Sequence, residues 1–137
     1  MRTILVAIDG SEESCRAVRM ASAIGKAMKA KLTLAHVEVP LCPPDYYSLP
    51  PGEFGRQEQK MVDAMFGRAF DLAAGLETER RILMGLPAEA LAEAANAPEV
   101  DLVVVGSRGR GAVKRVLQGS VSDRLIHICE KPVLVVQ

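Results

Sequence analysis

Three short runs, at residues 3–8, 101–105 and 132–136, are almost wholly apolar and rich in β-branched residues, with no alternation of polar and apolar positions. A strand of that kind has no face to give to water, so it fits a parallel sheet covered by helices on both sides. Residues 31–39 supply another strand, and 76–83, which alternates, is the weakest of the five. Between them lie longer segments of helical period. The resulting order β-α-β-α-β-α-β-α-β, with connections long enough for helical crossovers, predicts an α/β, doubly wound parallel sheet.

Local signals punctuate this pattern. Asp9-Gly10-Ser11 ends the first strand, and Ser11 is a good N-cap for a helix that places Ala17, Val18, Ala21, Ile24, Gly25 and Met28 on one face. A second helix is expected from Glu53, with Phe54, Met61, Met65, Ala69, Leu72 and Ala73 at helical spacing, stopping near Gly75. Gly85-Leu86-Pro87 opens a short helix carrying Leu91, Ala94 and Ala95, and Pro98 marks its end. Pro40, Pro43, Pro44, Pro50 and Pro51 forbid regular structure over 40–51. That loop reads either as a lid or as a partner-binding surface.

Composition narrows the function classes. With 137 residues the chain is expected to form one domain, 1–137, around one core. Its 17 Lys+Arg balance 17 Asp+Glu, which argues against nucleic-acid or membrane-surface partners, since both need excess cations. No apolar run approaches the ~18 residues of a membrane span, and Asp9 interrupts the first apolar run too soon for a signal peptide. Cys15, Cys42 and Cys129 form no C-x-x-C pair and leave an odd thiol, the usage of a reducing, cytoplasmic compartment. No cluster with metal-ligand spacing stands out.

Ligands of such sheets bind beyond the carboxyl ends of the strands, at a topological switch point, and the richest such segment follows the fourth strand. From Gly106 to Ser122 the chain reads G-S-R-G-R-G-A-V-K-R-V-L-Q-G-S-V-S. The dinucleotide fingerprint G-x-G-x-x-G fails, and Ala112 and Val113 stand where a P-loop needs Lys and Ser/Thr. What remains still suits phosphate. Gly106 and Gly109 are expected to allow close approach and positive φ, while Arg108, Arg110, Lys114 and Arg115 bring four cations with no acid among residues 102–122. Ser120 and Asp123 read as a capping box, so the amides of the helix that presents Val121, Leu125 and Ile128 to the core form an anion site, with Gly119 leaving it open.

The spacing Gly106-x2-Gly109-x9-Gly119-Ser120 resembles the nucleotide-binding signature of the universal stress protein family. The likeness extends along the chain, through residues 4–11, Ala35-His36-Val37, Gly85-Leu86-Pro87, residues 105–109 and Gly119-Ser120-Val121-Ser122. It implies a five-stranded parallel sheet of order 3-2-1-4-5 with helices on both faces, and an adenine nucleotide, ATP with Mg carried on its phosphates. By position, Ala7 and Asp9 would meet the ribose or adenosine, and the backbone at Val37 the adenine. Gly106, Arg108 and Gly109 would lie along sugar and phosphates, and Gly119, Ser120, Val121 and Ser122 would hold the phosphates. The resemblance also points to a homodimer through the edge strand Val133–Val136, an edge that is itself an association surface.

Since Ser11 is able to cap the first helix, Asp9 is expected to be released for a ligand. No general base is evident, and neither serine-glycine segment has the frame of a G-x-S-x-G elbow. The expected function is a nucleotide-dependent regulator of a stress response with no catalytic residue, a slow ATPase or autophosphorylating enzyme being the alternative.

Overall fold

The computed structural model describes residues 1–39, 53–108 and 120–137. Strands β1 (Thr3–Ala7), β2 (Lys31–Glu38), β3 (Thr78–Met84), β4 (Val100–Gly106) and β5 (Val133–Val136) alternate with helices α1 (Glu12–Met28), α2 (Glu53–Leu72), α3 (Pro87–Ala95) and α4 (Ser120–Ile128). All strand pairs are parallel, and the sheet runs β3-β2-β1-β4-β5 as expected.

The two-residue period of β1 sorts the core into two layers. Ile4 and Val6 point to one face, where they meet Ala17, Val18 and Ala21 of α1 and Val62, Phe66 and Ala69 of α2. Leu5 points to the other, against Ala88, Leu91 and Ala95 of α3 and Leu125 of α4. Helices thus cover both faces, and the central strands are sealed: Ile4, Leu5, Val6, Val103 and Val104 are fully buried.

Two helices differ from the sequence reading in which residues they bury. In α2, Met61 was expected inward but is 52% exposed, whereas Val62 and Phe66 are buried with Ala69 and Ala73. Both sets fit helical spacing; the set nearest the sheet wins because it includes the large aromatic, over whose ring the Arg80 guanidinium lies at 4.4 Å. In α1, Met28 is half exposed, because the helix ends there: Lys29 turns into the left-handed region (φ 55°) and its N–H bonds the Gly25 carbonyl.

Strand ends also shift slightly. The Leu76 N–H bonds the Ala73 carbonyl in the turn around Gly75 (φ 91°), so β3 starts at Thr78. Most of β3 is exposed, consistent with its place at a sheet edge. Among the described residues no helix is long and apolar enough to cross a membrane.

Candidate functional site

In the order β3-β2-β1-β4-β5 the chain winds to one side of β1 and then to the other, so the switch point lies between β1 and β4. The carboxyl ends of β2, β1 and β4 are neighbours there. Register places Ala7 opposite Ala35, and the next N–H, of Ile8, donates to the Ala35 carbonyl at 2.8 Å. His36 ties the same two ends, its Nδ1 donating to the Ile8 carbonyl at 3.1 Å. A carbonyl can only accept, which fixes that nitrogen as the protonated one. Val37, the next residue of β2, packs partly buried against the α3/α4 layer.

The turn after β1 is held by side chains. Asp9 Oδ1 accepts from the Ser11 N–H at 2.9 Å and from the Ser11 hydroxyl, an Asx-type turn. Ser11 Oγ in turn accepts from the Ser14 N–H at 3.1 Å, which caps α1. Asp9 is therefore not released by the cap, as the sequence suggested; it is the residue that positions the capping serine. Gly10 bridges the two with φ 84°, the left-handed conformation that favours glycine.

Gly106 also has a role other than the one expected. It lies within β4, and it is not among the described glycines of positive φ. Its small size is instead required by α1: a Cβ there would sit 2.9 Å from the backbone carbon of Glu13. The first turn of α1 thus rests directly on the end of β4 and closes one side of the crevice. That turn carries two acids, Glu12 and Glu13, which face Arg68 at 3.1 Å and Arg16 at 3.3 Å.

On the other side, Ser107 and α4 meet. The Ser107 N–H donates to the Val136 carbonyl at 2.8 Å, and its own carbonyl accepts from the Ser122 hydroxyl at 3.2 Å. Both serines are buried, at 3% and 1%. Ser122 therefore anchors α4 to the strand end, a role that its spacing from Gly119 did not reveal. Helix α4 begins at Ser120, so Ser120 lies within the first turn and not at the cap before it, with Asp123 also in that turn. Val121 is half-buried and Leu125 fully buried, both against the core as expected.

Of the sequence-derived site, the structure brings Ala7, Asp9, Val37, Gly106, Arg108, Ser120, Val121 and Ser122 to the carboxyl end of the sheet, around β1 and β4. Gly109 and Gly119 lie outside the described residues, as do Arg110, Lys114, Arg115 and the loop 40–51. Among the described residues no cluster of His, Cys, Asp or Glu could hold a metal ion. Chemically, the arrangement sets a carboxylate turn on one bank of the crevice and the amides of a helix N-terminus on the other. The first suits hydroxyls and the second an anion.

Comparison with known proteins gives a consistent result. The model of the universal stress protein family matches residues 1–137. A universal stress protein of Thermus aquaticus is 34% identical over 137 residues, covering 99% of this chain and 98% of that one. Among solved structures, a universal stress protein in complex with cAMP is 31% identical with a TM-score of 0.77, covering 99% of this chain and 97% of the other. A universal stress protein from Lactobacillus plantarum is 25% identical with a TM-score of 0.82, at coverages of 99% and 97%.

Proposed function

The chain belongs to the universal stress protein family, and we propose that residues 1–137 act as one nucleotide-binding domain that takes ATP. Mg²⁺ would be carried on the phosphates. The observation that supports this reading is the convergence of the Asp9 turn, the β4 end at Gly106 and the N-terminus of α4 on one switch point. That a relative 31% identical was solved with cAMP favours an adenine nucleotide.

Each bank then has a part. Asp9, held in its turn, is placed to accept from ribose hydroxyls, and the backbone at Val37 to read the adenine edge. The α4 amides from Ser120 to Ser122, with Arg108, Gly109 and Gly119, would take the phosphates. Since Ser122 already donates to the Ser107 carbonyl, a phosphate that draws on its hydroxyl would loosen the join between α4 and β4. Nucleotide would thereby reach the β5 edge, which follows α4 directly. We read the protein as a cytoplasmic stress-response regulator that pairs with a second copy through Val133–Val136, nucleotide setting its association.

The test is ligand-linked stability. ATP with Mg²⁺ at about 100 times its dissociation constant should raise the unfolding free energy by roughly 2.7 kcal/mol. Gly119→Val should remove that gain without loss of fold, and ADP, AMP and cAMP in place of ATP rank the preference. Absence of any shift in the parent protein with every one of these nucleotides would overturn the reading. Steady phosphate release that is lost on Ser120→Ala, with binding kept, would instead assign a slow ATPase.

A further inference from the structure

The groove between α1 and α2 holds a cavity of about 290 Å³ that the nucleotide reading does not use. Its floor is formed by Ile8, Ser14, Cys15, Val18 and Ala69, none more than 6% exposed. The Ser14 hydroxyl is turned to the backbone, where it donates to the Ser11 carbonyl at 3.0 Å, so the surface presented to the cavity is mainly apolar. Met61 and Arg68, both about half exposed, and the exposed Ala64 stand at the mouth.

The space follows from residue size. Gly10 and Ser14 on one side face Ala64 and Ala69 on the other, and small residues opposite one another leave the helices unfilled between them. Protein interiors seldom leave voids of this volume, and apolar cavities of such size take up small apolar molecules. Met61 and Met65 supply walls that adapt to shape.

One charge sits at the entrance. The Arg68 guanidinium is held at 3.1 Å by Glu12, and both side chains are more than half exposed. An exposed pair of this kind is worth little, so an arriving anion can take the guanidinium and leave Glu12 to water. A planar guanidinium is well matched to a carboxylate.

We propose that this cavity is a binding site for a small amphiphile, a medium-chain carboxylate. Its alkyl chain lies along Cys15 and Val18, and its carboxylate pairs with Arg68. Because Ile8 and Gly10 line the cavity on either side of Asp9 in sequence, an occupant also bears on the turn that the nucleotide reading uses. The proposal does not rest on that reading.

The experiment titrates sodium octanoate, below its micelle concentration, into nucleotide-free protein, with 1-octanol as the uncharged comparison. Calorimetry and methionine methyl resonances supply the readouts. Octanoate should bind saturably, one molecule per chain, and shift Met61 and Met65. Arg68→Gln should weaken octanoate about tenfold, the size of one charged hydrogen bond, and leave octanol unchanged. Ala64→Leu, at the exposed mouth, should block both, its fold checked by circular dichroism. With Cys42→Ser and Cys129→Ser leaving Cys15 as the sole thiol, octanoate should slow alkylation of Cys15. Unsaturable shifts, octanol binding as tightly as octanoate, or octanoate affinity indifferent to Arg68→Gln or to Ala64→Leu would each overturn the proposal.

Discussion

The two helical layers are built to one plan and finished differently. Each pairs two helices by a carboxylate from the first turn of one and an arginine of the other: Glu12 with Arg68 across α1 and α2, Glu89 with Arg124 across α3 and α4. Yet α1 starts on a side-chain cap at Ser11, while α3 starts on Leu86, which has no capping side chain and is followed by Pro87. The α1/α2 layer gathers around one aromatic, Phe66, and the other around Leu91, Leu125 and small alanines. Surface ion pairs of the same form therefore do not determine how a layer is closed. Caps and core volume do.

The largest effects should come from the core. Phe66→Ala removes the fully buried ring of the first layer and should cost about 3–5 kcal/mol in urea unfolding, with Leu91→Ala in the second roughly 2–5 kcal/mol. A loss at Phe66 clearly smaller than at Leu91 would break the contrast between a layer centred on one ring and a layer of small contacts. Next comes the join between α1 and β4. Gly106→Ala puts a Cβ against the Glu13 backbone, and should destabilise by about 1–3 kcal/mol while Gly67→Ala, where a Cβ meets nothing within 4 Å, does not.

The caps sharpen the comparison further. Ser11→Ala should lose about 1 kcal/mol, and Leu86→Ser should gain a few tenths up to about 1 kcal/mol. Leu86 is 62% exposed and already has the extended backbone of a cap (φ −76°, ψ 134°), and the change would place a serine three residues before Glu89, a capping box. Equal responses of the two helices to these opposite changes would mean that α1 does not depend on its cap.

The smallest effect is electrostatic. The Arg124 hydrogen bond holds the Glu89 carboxyl below the usual carboxylate range, and the Arg80 hydrogen bond does the same for Asp63 on α2. A carboxyl whose folded pKa is depressed stabilises above its unfolded value, near about 4, and loses that contribution as pH falls through the folded value. The urea midpoint should therefore fall on acidification below about pH 4, and fall less steeply in Glu89→Gln and Asp63→Asn. Between pH 6 and 8 these two groups should contribute no slope.

Much of the fold was legible because uniformly apolar strands and helical periods are local patterns; β1, β4 and α3 came out within a residue or two of their expected bounds. The strand order came from resemblance, since nothing local to a strand states its neighbour. The misreadings have physical causes. Met61 and Val62 are adjacent, so the helical period of α2 admits either, and only the direction of the sheet decides. Gly106 and Asp9 were each given a ligand role from their strand-end position, whereas part of their work is internal: Gly106 makes room for Glu13, and Asp9 holds Ser11. Contacts of this kind, between a strand end and the helix of another unit, leave no periodic trace in a sequence. Ser122 is the same case, tied to Ser107 across residues 108–121.

The strand order also sets a sequence of assembly. Thr3 lies opposite Lys31 on one side of the sheet and opposite Val100 on the other. Closing the longer loop costs roughly 1 kcal/mol more chain entropy than closing the shorter, so β1, α1 and β2 form a unit able to organise early, while β4 must be recruited across most of the chain. The crevice between β1 and β4 is accordingly the last part of the sheet to exist. A nucleotide that binds there cannot template the first steps of folding; it recognises only a sheet that has already closed.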